Sequence, residues 1–381
     1  MKRWIASLLA LLIACLSWTA FGEVGSFVVS DDEDEISPDL NRQARAVMRL
    51  MSDDEKIWQL FFVTLEDMTG EDRTVEISGA SALARRPVGG VMLFGQNIVS
   101  EEQLRRLTAE LKKGAGLIPL FIGVDEEGGN LSRVANKLGY PLAPSPGEIG
   151  HTGDENLAKA AGTQIAAYLT PLGINMTFAP SADTFTDLNA PGVQSYGSDP
   201  ALVSRMALAM AEGLKSSGVA PCWTHFPGHG EKTGTTLSNL SVRRLLEEMR
   251  ALEFIPFRDA ISAGADMILV SHAIVRTVGD DMPGSVSSQV IKGILRRELG
   301  FEGAVVTDSL RMSAITGNYK KGQESVAALK AGADILLLPP DADAAYRAVR
   351  QAVNTGEITM ARVEESVARI LMVKIAMGWF D

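Results

Sequence analysis

Cysteine is almost missing from this chain. Only Cys15 and Cys222 occur among 381 residues, and Cys15 lies in an N-terminal apolar run. The mature chain is therefore expected to hold no internal disulfide. Cys222 sits in an apolar stretch and reads as a small buried hydrophobe rather than a nucleophile. Basic clusters long enough to follow a phosphate backbone are also missing, and the net charge is −11. A nucleic-acid partner is not expected. The apolar run from Trp4 to Leu16 is too short to span a bilayer, so no transmembrane helix is expected in the mature chain. Glu127-Gly128-Gly129 and Gly228-His229-Gly230 lack both the Walker lysine and the dinucleotide fingerprint. They read as tight turns, and no cofactor is expected.

The N-terminus carries an address. Lys2 and Arg3 precede the apolar run, as in a secretory signal over residues 1–22. Ala20-Phe21-Gly22 before Glu23 fits a cleavage site, whereas Leu12-Ile13-Ala14-Cys15 looks like a lipobox that would leave Cys15 lipidated. Both endings mean export, to the periplasm or beyond the cell. Cleavage after Gly22 would remove two cations and no acid, leaving a net charge of −13. Asp31 to Glu35 is an unbroken acidic run, read as part of a solvated linker over residues 23–40.

The hydrophobic content of the chain, 46%, suits a large core, and from residue 41 to 381 short apolar runs alternate with amphipathic ones. Strands are expected at Ile57–Thr64, Val88–Gly95, Pro119–Asp125, Asn175–Asp183, Ala220–Phe226, Ala265–Ala273, Gly303–Ser309 and Ala333–Pro339. Helices are expected at Ser100–Lys113, opened by a capping box, and at Asp154–Leu172, Asp199–Ser217, Arg244–Ala263, Ser287–Leu299 and Gln323–Ala331, with Asp341–Asn354 and Met360–Met377 closing the chain. The segment between the first two strands has room for a short helix at most. Eight strands in βα alternation point to an α/β fold, a (β/α)8 TIM-type barrel in a single domain, with an open doubly wound sheet as the alternative. A monomer is expected.

In such a barrel the active site forms at the C-terminal ends of the strands. Asp125, Asp183, His225, His272 and Asp308 end the third to seventh expected strands, and two of the chain's four histidines are among them. His225 and His229 are four apart, a zinc spacing on a helix. Pro227 and Gly228 forbid a regular helix there and no HExxH pattern exists, so no metal is expected.

The segment Thr224-His225-Phe226-Pro227-Gly228-His229-Gly230 resembles the Lys-His-Phe-Pro-Gly-His-Gly motif of bacterial β-N-acetylglucosaminidases of glycoside hydrolase family 3. Asp125-Glu126-Glu127-Gly128-Gly129 matches that family's Asp-x-Glu-Gly-Gly turn. Phe178 to Asp183 matches its Phe-Ala-Pro-x-x-Asp strand, and Thr307-Asp308 its Ser-Asp strand end. The likeness runs from Met51-Ser52-Asp53-Asp54-Glu55-Lys56-Ile57 to Gly378-Trp379-Phe380-Asp381, nearly all of the mature chain. The resemblance implies retaining hydrolysis through a glycosyl-enzyme. It makes Asp308 the nucleophile, has Asp125 bind sugar hydroxyls, and has His225 contact the sugar. Asp308 could otherwise cap a helix at the strand's end. His272, Thr224 and Gln194 complete the expected substrate-binding set.

Three departures bear on chemistry. Thr224 stands where the resemblance implies a lysine, and Gln194-Ser195-Tyr196-Gly197 where it implies Arg-Ser-Phe-Gly. The implied acid/base, a histidine held by an aspartate in an Asp-Ser-His segment, aligns with Thr235-Thr236-Leu237, and leucine cannot carry a proton. Glu231 and Lys232 are the only ionisable groups of that loop, which makes Glu231 the candidate replacement. The expected function is a glycosidase acting on amino-sugar glycans or peptidoglycan fragments. The alternative is a catalytically impaired barrel that binds glycans or an envelope partner, and a metallohydrolase is a third class.

Overall fold

The computed structural model describes residues 38–185, 194–229, 241–242 and 244–380. The expected signal and most of the acidic linker lie outside these residues, as do Glu231, Thr235 and Leu237. Nine short strands build the framework: β1 Phe61–Thr64, β2 Gly90–Met92, β3 Phe121–Val124, β4 Met176–Thr177, β5 Ala220–Pro221, β6 Trp223–Phe226, β7 Met267–Val270, β8 Ala304–Thr307 and β9 Leu336–Leu337. They pair in parallel as β9-β1-β2-β3-β4-β5 and as β8-β7-β6. Only Cys222 separates β5 from β6, and single bridges join Ser181 to Thr224 and Val306 to Ile335. The result is an α/β fold with a curled parallel sheet. Its strands read as near-continuous apolar runs because helices cover the outer face.

Space inside the sheet is set by glycine. A Cβ at Gly90 would come within 2.4 Å of the Phe62 ring and one at Gly123 within 2.8 Å. With both positions clear, the Phe62 ring lies 6.3 Å from that of Phe121 and 5.9 Å from that of Phe178. Overpacking of such a core typically costs about 1–3 kcal/mol, so neither position has room for a larger residue.

Most expected elements are present but shorter, and three differ for identifiable reasons. Ile57 to Gln59 belong to a helix, Asp53–Gln59, rather than to the first strand. Ser52 and Glu55 cap one another there, with Ser52 N to Glu55 Oε2 at 2.7 Å and Glu55 N to Ser52 Oγ at 3.2 Å. The helix expected over Arg244–Ala263 is two, Leu246–Ala251 and Phe254–Ser262. Pro256 has no N–H to continue a ladder and is tolerated only in the first turn of the second helix. At Ser100 only half the capping box forms. Its hydroxyl accepts from Gln103 N, while Gln103 Oε1 turns to Val99 N at 3.0 Å.

Charges are sealed beneath the strand starts. Asp334, fully buried just ahead of β9, is met by Arg296, Arg362 and Arg369. Lys374 is equally buried. Its Nζ donates to Gln59 Oε1 at 2.8 Å and Gly89 O at 3.2 Å and lies 4.8 Å from the Phe121 ring centre. Burial pushes this amine down to about 7, whereas an unfolded lysine stays protonated to about 10.5. Between those values the unfolded chain binds more protons than the folded one. The contribution to stability is therefore complete above about pH 10.5 and is lost as pH falls towards about 7, by up to about 1.4 kcal/mol per pH unit. Replacing Lys374 by Met should stabilise the protein more at pH 7 than at pH 10, relative to wild type, in parallel thermal melts. An equal offset at both pH values would refute the shifted amine.

Candidate active site

The chemistry-bearing residues stand where the parallel strands end. Asp125 follows β3 directly, His225 is the penultimate residue of β6, and Asp308 follows β8. Asp183 comes two residues after the Ser181 bridge beyond β4, and His272 two residues after β7. Parallel strands share one C-terminal edge, so these side chains gather on one face, opposite Lys374 and Asp334.

Asp183 is the hub. It is buried, and its Oδ2 accepts from His225 Nδ1 at 2.9 Å and faces His229 Nδ1 at 3.2 Å, while Oδ1 accepts from His229 N at 3.0 Å. Burial alone would raise its pKa, but the two imidazoles outweigh burial and hold the carboxyl far below the usual range. His225 mirrors this. Burial opposes its charge, yet the Asp183 hydrogen bond and the charges of Asp183, Asp308 and Glu127 push it up to about 9. Its contribution to stability is fully present below about pH 6.5 and is lost as pH rises through about 9. In Asp183→Asn the His225 ring protons, followed by NMR, should titrate near 6.5 or lower. An unchanged titration would show that Asp183 does not control this imidazole.

The turn after β3 divides its acids by task. Asp125 Oδ2 takes two donors from Arg133, at 2.9 and 2.6 Å. Fully buried Glu126 accepts from Val134 N at 2.8 Å, Ala135 N at 2.9 Å and Tyr168 OH at 2.8 Å, which fixes the helix start that presents Arg133. Glu127 is 7% exposed, and its Oε2 has no hydrogen-bond partner. Burial pushes its carboxyl up to about 8, against the opposing pull of His225. Gly128 and Gly129 turn the chain with φ of +94° and +56°, and a Cβ on Gly128 would lie 2.5 Å from Pro144 O. Only glycine fits there.

Other expected residues take different places. His272 has both ring nitrogens engaged: its Nδ1 pairs with Ser285 Oγ at 2.7 Å, and its Nε2 with Ser309 O at 2.8 Å, which braces the segment carrying Asp308. Asp308 caps no helix; its Oδ1 accepts from the adjacent Ser309 N at 2.7 Å. Thr224 is buried with no partner for its hydroxyl, and Gln194 Oε1 likewise has none. Cys222 is fully buried and burial pushes its thiol up, as suits an inert residue. Sequence assigned no role to Arg133, placed Glu127 only in a turn motif, and weighed His229 only as half of a zinc spacing. Arg133 lies eight residues beyond Asp125, and no local pattern links the two.

Asp183, His225 and His229 could hold a metal ion, since one ligand atom from each lies within 4.8 Å of the others. No helix forms at Pro227-Gly228, as expected from those two residues. The turn nevertheless brings both imidazoles together without one, Gly228 adopting φ +106° beside Glu253. Asp183 Oδ2 is the shared neighbour of both rings, 2.9 Å from His225 Nδ1 and 3.2 Å from His229 Nδ1.

With this geometry in view, comparisons with known proteins are informative. Residues 52–373 match the glycosyl hydrolase family 3 N terminal domain. A beta-hexosaminidase of Tolumonas auensis is 36% identical over 262 residues, 67% of this chain and 77% of that protein. One from Hydrogenovibrio crunogenus is 33% identical over 72% of this chain and 79% of its own length. The solved family 3 β-N-acetylglucosaminidase from Paenibacillus superposes with a TM-score of 0.80 at 34% identity over 86% of this chain. The chain spans 63% of that larger enzyme. LpqI of Mycobacterium tuberculosis superposes with a TM-score of 0.76 at 29% identity, over 86% of this chain and 95% of LpqI. The curled parallel sheet, the acids and histidines at its strand ends and a match over residues 52–373 lead to one assignment: the chain belongs to glycosyl hydrolase family 3.

Proposed function

We propose that this chain is a retaining glycosidase acting on amino-sugar glycans or peptidoglycan fragments, built as a single (β/α)8 barrel over residues 41–381. The bridges at Ser181–Thr224 and Val306–Ile335 support reading the two sheets as arcs of one barrel. Beta-hexosaminidase relatives support the reaction class. The observation that carries the reading is Asp308. Its carboxylate stands directly after β8, rigidly based, and its charge acts on His225 across the strand ends.

In this reading Asp308 attacks the anomeric carbon as the bond to the leaving oxygen breaks, and water later releases the sugar from the glycosyl-enzyme. Asp125, oriented by Arg133, accepts from sugar hydroxyls. His225 keeps Nδ1 on Asp183 and turns Nε2 to the sugar, protonated at neutral pH. Thr224 and Gln194 complete the substrate-binding set; the leaving group departs without help from a general acid, and Glu231 is the first replacement to examine if a proton donor proves to act. The protein works after export, as a monomer, either freed of residues 1–22 or anchored through Cys15. A 2-fluoro sugar with a good leaving group should label Asp308, located by peptide mass mapping. Label on another carboxylate would reject the assignment, and glycan binding without turnover would favour a pocket that only binds.

A further inference from the structure

Asp183, His225 and His229 form a compact set of donor atoms at the strand ends. Asp183 Oδ2 lies within 3.2 Å of Nδ1 on both rings, and the ring centres are 4.5 Å apart. One ligand atom from each residue lies within 4.8 Å of the others. Ligand atoms of a tetrahedral zinc site, each bound at about 2.0–2.1 Å, stand about 3.3 Å from one another. The donors need only small side-chain shifts to close on an ion.

Their orientation is held from outside the set. Asp183 Oδ1 accepts from His229 N at 3.0 Å, which leaves Oδ2 turned to the rings. A carboxylate fixed through its other oxygen has the outer-shell support that metal sites use. Gly228, at φ +106°, bends the chain so that His229 returns to the oxygen His225 already meets. His229 Nε2 is buried with no partner, so among the described residues no other side chain claims this ring. Solvent reaches the set from one side. The His225 side chain is 26% exposed, against 8% for His229 and 3% for Asp183. That side supplies an entry path for an ion and a water for its fourth position.

Donor chemistry selects the ion. Two imidazole nitrogens and one carboxylate oxygen suit zinc and its late first-row neighbours, whereas calcium and magnesium seek oxygen. The chain's other two histidines offer no rival site. His151 is exposed with Nδ1 on Gly147 O, and both nitrogens of His272 are engaged.

We propose that Asp183, His225 and His229 form a zinc site that clamps the segment after β4 to β6 and its turn. The ion takes the place of the proton between Asp183 and His225, and that proton leaves to solvent. The inference rests on this geometry and not on the glycosidase reading. The test is calorimetric titration of the untagged mature protein with zinc chloride and, separately, with magnesium chloride. One zinc per chain should bind with a Kd of about 1 μM or tighter, and magnesium should give no binding heat. Asp183→Asn, His225→Gln and His229→Gln should each weaken zinc by about tenfold or more. A proton–nitrogen NMR spectrum of the zinc-loaded wild type should show two imidazoles ligated through Nδ1 with the proton on Nε2, a result that holds even where a variant does not fold. Absence of zinc binding, unchanged affinity in folded variants, magnesium binding of similar strength, or a spectrum without Nδ1 ligation would each overturn the proposal. Zinc binding and glycoside turnover are separate measurements, so the failure of either reading leaves the other standing.

Discussion

Aryl glycosides with a nitrophenolate leaving group should be turned over about 10² to 10⁴ times faster than alkyl glycosides of the same sugar, the range a positioned general acid contributes. A nitrophenolate departs unaided, whereas a sugar alkoxide needs a proton. The position that should carry the donor is Leu237, outside the described residues, and its partner position is Thr235. Water attack on the glycosyl-enzyme lacks its base for the same reason, so the intermediate should accumulate and give a burst of nitrophenolate. Azide needs no base and should speed turnover where that second step limits. Writing the dyad back as Thr235→Asp with Leu237→His should raise activity on alkyl glycosides specifically. Similar rates on both substrate classes, with neither burst nor azide effect, would mean that another group supplies the proton. Glu231→Gln would then be the first variant to make.

Asp308→Ala should lower kcat on aryl glycosides by roughly 10⁴-fold or more, the scale seen when a covalent nucleophile is removed from a preorganised site. Stereochemistry distinguishes this role from a structural one. Azide acting on the wild-type glycosyl-enzyme yields the β-glycosyl azide, with two inversions. In Asp308→Ala azide can enter the vacated space and attack the substrate directly, giving the α-glycosyl azide with one inversion. The residue's neighbours predict that the variant folds. Among the described residues Asp308 accepts from Ser309 N alone, and that segment is braced independently by His272 through Ser309 O. A folded variant that keeps more than about a tenth of wild-type activity, or returns only β-azide, would remove Asp308 from the nucleophile role.

The strand ends show where sequence reasoning carries and where it stops. Asp125, His225 and Asp308 were legible because each closes a short apolar run, and a parallel sheet gathers such positions on one edge. His272 satisfied the same rule yet faces the wall, since Ser285 and Ser309 lie 13 and 37 residues away and occupy both its nitrogens. Glu126 and Glu127 are adjacent and chemically alike. One is held by two backbone N–H groups and a tyrosine, while the other keeps a bare oxygen among charges. Nothing in the order of letters distinguishes them.

Local physics is written in the chain itself: the alternation of apolar and amphipathic runs, the cap at Ser100, the forced turns at Gly128 and Gly228, and the motif spacing that marks the family. These depend on contacts within a few residues, so they can be read in order. The electrostatic state of the site depends on pairs far apart in sequence. Asp183 meets His225 across 42 residues, and Lys374 meets Gln59 across 315. Burial and charge then act over a few ångströms whatever the separation along the chain. Tertiary structure alone therefore decided that His225 is pushed towards its charged form, that Glu127 keeps a bare oxygen, and that Lys374 gives up its proton more readily than a free lysine.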